Sequence, residues 1–159
     1  MVSPFNTPLE TGIRSLAILT AIFPRSLDLQ YLVFFDYLTV HSGDVGGPES
    51  LHAPLPMRSG ELTVRRELIE RGLFLMMSRG LVHRLSESNG FNYTVTDTAG
   101  AFLAMLNSQY ISKLKDRAEW VAETFGESTP EELKAVERQF FQAWSMQFQP
   151  FERAGRRRT

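Results

Sequence analysis

Apolar residues recur at helical spacing in the first third of the chain. Ile13, Leu16, Ala17 and Thr20 share one face of a segment running from residue 8 to residue 23. Thr7 is placed to cap this helix, Pro8 suits its first turn, Glu10 lies at the positive end of its dipole, and Pro24 stops it. A second helix is predicted over 27–41 with Ser26 as its cap. Leu29, Leu32, Val33, Phe34, Phe35, Tyr37, Leu38 and Val40 make it apolar nearly all round. Such a helix sits at the centre of a core or under a partner, and the core is favoured. A third helix spans 60–79. Leu62, Leu68, Ile69, Leu73, Leu75 and Met76 fill one broad arc of it, with Val64 at the border. The opposite arc holds Thr63, Arg66, Glu67, Glu70, Arg71 and Met77. Arg65 falls inside the apolar arc, where an arginine snorkels or pairs with a core carboxylate.

The periodicity then changes. Gly80 permits the left-handed turn that ends the third helix. Alternating residues on either side of Ser88-Asn89-Gly90 predict a β-hairpin, from which Leu81, Leu85, Tyr93 and Val95 can plug the core. Asp97 or Thr98 caps a long helix reaching about Phe125. A last helix starts at Ser128 or Thr129, with Pro130 in its first turn, and stops before Pro150. Leu133, Val136, Phe140, Ala143 and Trp144 form its stripe. Phe141 and Phe148 lie off that stripe, where exposed aromatics mark partner sites.

These elements predict a mainly α fold with a small β-hairpin, namely a winged helix-turn-helix with additional C-terminal helices. Residues 1–125 form the winged-helix domain. Residues 126–150 form a C-terminal helix packed on it or extending it, and 151–159 form a basic disordered tail. The domain carries an insertion at 42–57, rich in Gly and Pro, where a helix-turn-helix usually has a turn of a few residues. The fold alone does not assign a function, because winged helices serve both as DNA readers and as protein-docking modules.

With 159 residues, 43% hydrophobic and 22% charged, the chain is long enough for one ordinary core. It has no cysteine, which excludes disulfides, thiolate catalysis and cysteine-zinc sites. The N-terminus lacks the pattern of a signal peptide, and no apolar stretch is long enough to span a bilayer, so a cytoplasmic location without membrane contact is expected. Segments 1–57, 58–96, 97–152 and 153–159 are acidic, basic, acidic and basic in turn. No broad positive field surrounds the body, and the outer arc of the third helix mixes Arg66 and Arg71 with Glu67 and Glu70. Carboxylates facing a phosphate backbone are repelled. DNA reading is thereby weakened and protein docking favoured. Arg79 and Arg84, with Arg156, Arg157 and Arg158 of the tail, are the candidates for a weak nucleic-acid contact.

His41, Asp44, Glu49 and His52 lie close in sequence, and imidazole with carboxylate is competent for metal or acid–base work. Their spacing matches no ligand pattern, so a polar loop tied by its own hydrogen bonds is the favoured reading. Gly43-x-x-Gly46-Gly47 lacks the Lys-Ser/Thr of a phosphate-binding loop. His83, in the wing, packs or faces water. No catalytic residue, metal site or cofactor is expected.

Three stretches carry a resemblance. They are PFNTPLETGIRSLAIL, Asp28-Leu29-Gln30-x-Leu32-Val33-x-x-Asp36-Tyr37-Leu38, and VHSGDVGGPESLHAPLPMRSGELTVRRELIERGLFLMMSRGLV. They resemble the middle component of ABC-three-component systems, over roughly residues 4–125, and the middle subunit of Lamassu anti-phage defence is similar. The resemblance implies a subunit without activity of its own that bridges an SMC/Rad50-like ATPase subunit and an effector subunit, often a nuclease. DNA would then be met indirectly or weakly. His41, Asp44, Gly46, Gly47, Pro48, His52, Arg65 and Arg66, in its densest part, are the expected partner contacts, with Phe141 and Phe148. Self-association is left open. The alternatives are a winged-helix DNA-binding protein or transcriptional regulator, and an enzyme using the 41–52 loop.

Overall fold

A computed structural model of the chain describes residues 7–52, 61–88 and 90–139. Helix α1, Pro8–Ile22, begins as its cap predicts: Thr7 Oγ1 accepts from the Glu10 amide at 3.2 Å. The Phe23–Pro24 peptide beyond it is cis. The next turn differs from expectation. Leu27–Asp28 is a short strand, β1, and Asp28 rather than Ser26 caps helix α2, Leu29–Val40, accepting from the Tyr31 amide at 2.8 Å. Helix α3 spans Glu61–Ser78.

The hairpin forms as predicted, from β2 (Val82–Glu87) and β3 (Gly90–Val95), in register from Val82↔Val95 to Glu87↔Gly90. Strand β1 joins its far side through Leu27↔Tyr93 and Asp28↔Asn92, giving an antiparallel sheet of order β1-β3-β2. Leu81 and Tyr93 enter the core and Val95 packs against it. Leu85 does not. Its register partner is Asn92, on the opposite face of the pleat from Tyr93, and it is 40% exposed.

The long helix expected after the hairpin is two helices, α4 (Ala99–Met105) and α5 (Gln109–Phe125). Ser108 caps the second, accepting from the Ile111 amide at 3.2 Å. Lys115 Nζ donates to the carbonyls of Leu103 and Leu106 at 2.6 and 3.2 Å, so carbonyls left open by the break are satisfied. Thr98 makes no cap bond. Its hydroxyl and that of Thr96 donate to the Gly80 carbonyl, tying the start of α4 to the end of α3. Helix α6 covers 130–139 among the described residues. Thr129 Oγ1 accepts from the Glu132 amide, and Leu133 packs into the core. The stripe residues Phe140, Ala143 and Trp144 lie outside the described residues.

The core lies between α1, α2, α3 and α5, with Leu16, Leu19, Leu32, Phe35, Leu38, Ile69, Leu73, Met76, Leu114 and Val121 buried. The near-uniform apolarity of α2 is accounted for by burial on most sides. Helices α1 and α3 touch backbone to backbone: a Cβ on Gly72 would stand 2.6 Å from the Gly12 nitrogen, and one on Gly12 would stand 2.8 Å from the Gly72 carbonyl oxygen. This mostly helical order, with a hairpin and a third strand between the first two helices, is compatible with the expected winged helix-turn-helix.

Candidate functional site

Helix α2 carries one charged side chain into the core, Asp36, and it is fully buried. A lone buried carboxylate is costly, so it demands partners. Two arginines supply them. From α1, Arg14 Nε donates to Oδ1 at 2.8 Å and Nη2 to Oδ2 at 3.3 Å. From α3, Arg65 Nη1 donates to Oδ2 at 2.5 Å, and its guanidinium lies 5.3 Å from the centre of the Tyr37 ring. Arg65 therefore takes up the pairing with a core carboxylate anticipated for it. Burial alone would raise the Asp36 pKa, but the two guanidiniums outweigh it and hold the carboxyl below its usual range. Burial likewise penalises the charged Arg14, and Asp36 more than offsets this, leaving its pKa raised.

Two histidines sit above this cluster. His41, at the end of α2, is 1% exposed, and its Nδ1 has no hydrogen-bond partner among the described residues. Its ring lies 4.7 Å from that of Tyr37 and 6.3 Å from that of His52. His52 Nε2 is 2.9 Å from the hydroxyl of Tyr110 on α5. Arg14 also hydrogen-bonds Tyr110, and a guanidinium only donates. The tyrosine hydroxyl accepts that bond, and it is donor or acceptor toward His52 Nε2 according to the histidine's tautomer. Burial, and next the charge of Arg65, push the His41 pKa down to about 4. Burial and Arg14 push His52 down to about 4. Both imidazoles are neutral at pH 7. Burial raises the Tyr110 pKa against the opposing charge of Arg14.

The connection after α2 folds back over this cluster. Ser42–Val45 make a single 3-10 turn, closed by Gly46 at φ +80, a conformation that favours glycine. Ser42 Oγ donates to the Pro48 carbonyl at 2.8 Å, the Gly43 amide to Ser50 Oγ at 2.9 Å, and the amides of Leu51 and His52 to the Val40 carbonyl. Helix α5 holds the loop from outside. Arg117 Nε donates to the Glu49 carbonyl at 2.9 Å, and Gly47 lies so near Trp120 that a Cβ there would collide with the indole. The loop thus covers the end of α2. It leaves Gly43, Asp44, Gly46 and Glu49 exposed and Gly47 and Pro48 half-buried. Partial desolvation in the loop raises the pKa of the largely exposed Asp44. Among the described residues no three His, Asp or Glu side chains group as metal ligands, and no helix is long and apolar enough to cross a membrane.

The expected contact residues therefore separate. His41 is inside the core, His52 and Arg65 are half-buried, and all three face the Asp36 cluster. Arg66 is exposed, turned about 100° around α3 from its neighbour. It borders a groove of about 520 Å³ lined by Tyr31, Phe34, Thr63, Leu133 and Lys134. Arg79 and Arg84 are exposed, and the Arg84 guanidinium lies 4.4 Å from the centre of the Phe91 ring. Phe141, Phe148, Arg156, Arg157 and Arg158, with the tail and residues 53–57 of the loop, lie outside the described residues. Sequence reasoning missed Arg14, Asp36 and Tyr110. The available signal was a charge set among apolar neighbours in each of two helices, Arg14 in α1 and Asp36 in α2, of opposite sign.

A family model described as MC2, ABC-three component (ABC-3C) system Middle Component 2, matches residues 4–147. No curated protein and no solved structure matches the chain.

Proposed function

The chain belongs to the middle component 2 family of ABC-three-component systems, and from that premise we propose that it is a non-catalytic adaptor. In this reading it is cytoplasmic and links an SMC/Rad50-like ATPase to an effector subunit of the nuclease class, within a Lamassu-like defence complex. The observation that carries the reading is the family match, which extends over residues 4–147 and so takes in all the described elements.

The geometry supports a docking role. Asp36, Arg14, Arg65, His52 and Tyr110 are engaged with one another, which makes a rigid centre where four helices and the loop meet. Around it, Asp44 and Glu49 on the loop and Arg66 on α3 are exposed. A rigid body with such a rim holds one partner while another changes state, and ATP-driven rearrangement of the ATPase then moves the effector between a held and a released arrangement. Glu67 on the outer side of α3 weighs against DNA reading as the alternative.

Co-purification tests the proposal. The tagged full chain, expressed with its native operon, is expected to bring down an ATPase and an effector in fixed ratio. A chain that purifies alone and binds duplex DNA tighter than about 10⁻⁷ M at physiological salt would replace the adaptor by the DNA-binding alternative.

A further inference from the structure

The hairpin edge and the neighbouring side of α3 make a second surface, distinct from the loop. Among the described residues β2 is an edge strand, bonded within the sheet to β3 alone. The Thr96 amide donates to the Leu81 carbonyl, and the hairpin closes at Glu87↔Gly90 across a two-residue turn. Bonded and non-bonded pairs alternate in an antiparallel ladder. His83, Leu85 and Glu87 therefore direct their main-chain groups toward β3, while Arg84 and Ser86 direct theirs outward. Both of these residues are exposed.

The register also puts Arg84, Ser86 and Phe91 on one face of the hairpin, the face toward α3. There Phe91 is 51% and Phe74 57% exposed, with the Arg84 guanidinium 4.4 Å from the Phe91 ring centre and 6.0 Å from that of Phe74. From residue 71 to residue 94 the charged side chains are Arg71, Arg79, Arg84 and Glu87. Glu87 is engaged at the hairpin tip by Asn92 Nδ2 at 2.9 Å. Glu67 and the half-buried Glu70, on the same outer arc of α3 as Arg71, bound the cationic stretch on its N-terminal side.

We propose that this edge receives an extended acidic segment bearing apolar side chains, from another component of the system, which adds to β2 as an outer strand. An open edge supplies main-chain bonds and alternate side chains supply selectivity. Apolar side chains of the incoming strand cover Phe74 and Phe91, and its carboxylates meet Arg84 and Arg71. The segment 153–158 is the wrong sign for this face, since Arg153, Arg156, Arg157 and Arg158 would meet arginines. The inference rests on the adaptor reading and names the chemistry of one partner.

Hydrogen exchange on the full chain, alone and in the co-purified assembly, is the test. The Arg84 and Ser86 amides are expected to exchange quickly in the free chain and about tenfold or more slowly in the assembly. Arg84→Glu is expected to abolish that slowing and weaken assembly, while Met105→Glu, at an exposed site elsewhere, leaves both unchanged. An intact assembly with no slowing at these amides would overturn the inference and leave the adaptor reading standing. Slow exchange already present in the free chain would assign the edge to a segment of this chain and overturn it. Slowing produced by oligo-dT added to the free chain would assign the edge to nucleic acid and overturn it as well. Failure of the components to co-purify at all would overturn the adaptor reading and this inference together.

Discussion

Helix α3 borders two charged regions that are organised in opposite ways. On its inner side Arg65 shares a buried carboxylate with Arg14, and His52 and Tyr110 join the same cluster, while His41 Nδ1 has no partner among the described residues. On its outer side Arg66, Arg71 and Phe74 face outward with no ion pair to hold them among the described residues. Arg65 and Arg66 are adjacent, so a rotation of about 100° separates them. Residue type alone says nothing of which arginine is structural. The helical phase says it, because Arg65 shares its stripe with Ile69, Gly72 and Met76, all buried.

The sharpest way to break the comparison is at Asp36. Asp36→Asn leaves two guanidiniums without their shared anion, and a loss of about 3–5 kcal/mol in urea unfolding is expected. A loss below about 0.5 kcal/mol, typical of a surface site, would show the inner region to be organised like the outer one.

Acid probes the same interior through its histidines. Below about pH 6.5 the unfolded chain binds protons at both imidazoles, whereas the folded chain, with pKa values of about 4, does not. Stability is therefore full above that range and falls as the pH drops from about 6.5 to about 4. The loss is roughly 3 kcal/mol for His41 and less for the more exposed His52. His41→Gln is expected to flatten a large part of this slope in unfolding measured across that range. An unchanged slope would remove His41 as its source.

The inner face of α3 depends also on its approach to α1. Gly72→Ala places a methyl against the Gly12 backbone, and a loss of about 1–3 kcal/mol is expected from thermal unfolding. Gly100→Ala, with open space around it in α4, is the control and is expected to be neutral or mildly stabilising.

The smallest effect on stability is expected outside. Arg66→Glu changes unfolding by no more than about 0.5 kcal/mol, while costing a few kcal/mol in assembly if Arg66 meets a partner charge. A stable Arg66→Glu chain that assembles normally would free the outer region of that role. A chain that loses stability instead would show that Arg66 belongs to the interior.

Local chemistry made α1, the hairpin and the cap of α6 legible in the sequence, because Thr7, the turn after Glu87 and Thr129 act on neighbours a few residues away. The pairing available to Arg65 was legible from its phase. What was not legible depends on distant partners. Leu27 and Asp28 form a strand only because β3 offers an edge, so Ser26 was the natural cap to choose. The break between α4 and α5 is stabilised by Lys115, reaching back from within α5. Nothing in the residue type of Phe74 or Phe91 marks it as exposed, and only the register and burial show it. The close approach at Gly12 and Gly72 has no signature in either helix alone.

The pairing of Leu27 with Tyr93 also imposes an order on folding. The hairpin closes across a two-residue turn, an event of microseconds. A strand of two residues cannot persist unsupported, and β1 meets β3 only after α2, the loop and α3 have been gathered between them, at an entropic cost that grows with the logarithm of the intervening length. The sheet is completed from its tip inward. A nascent chain that has left the ribosome only as far as α3 has no sheet at all, though the Gly12–Gly72 approach and the Asp36 ion pairs lie wholly within its three helices.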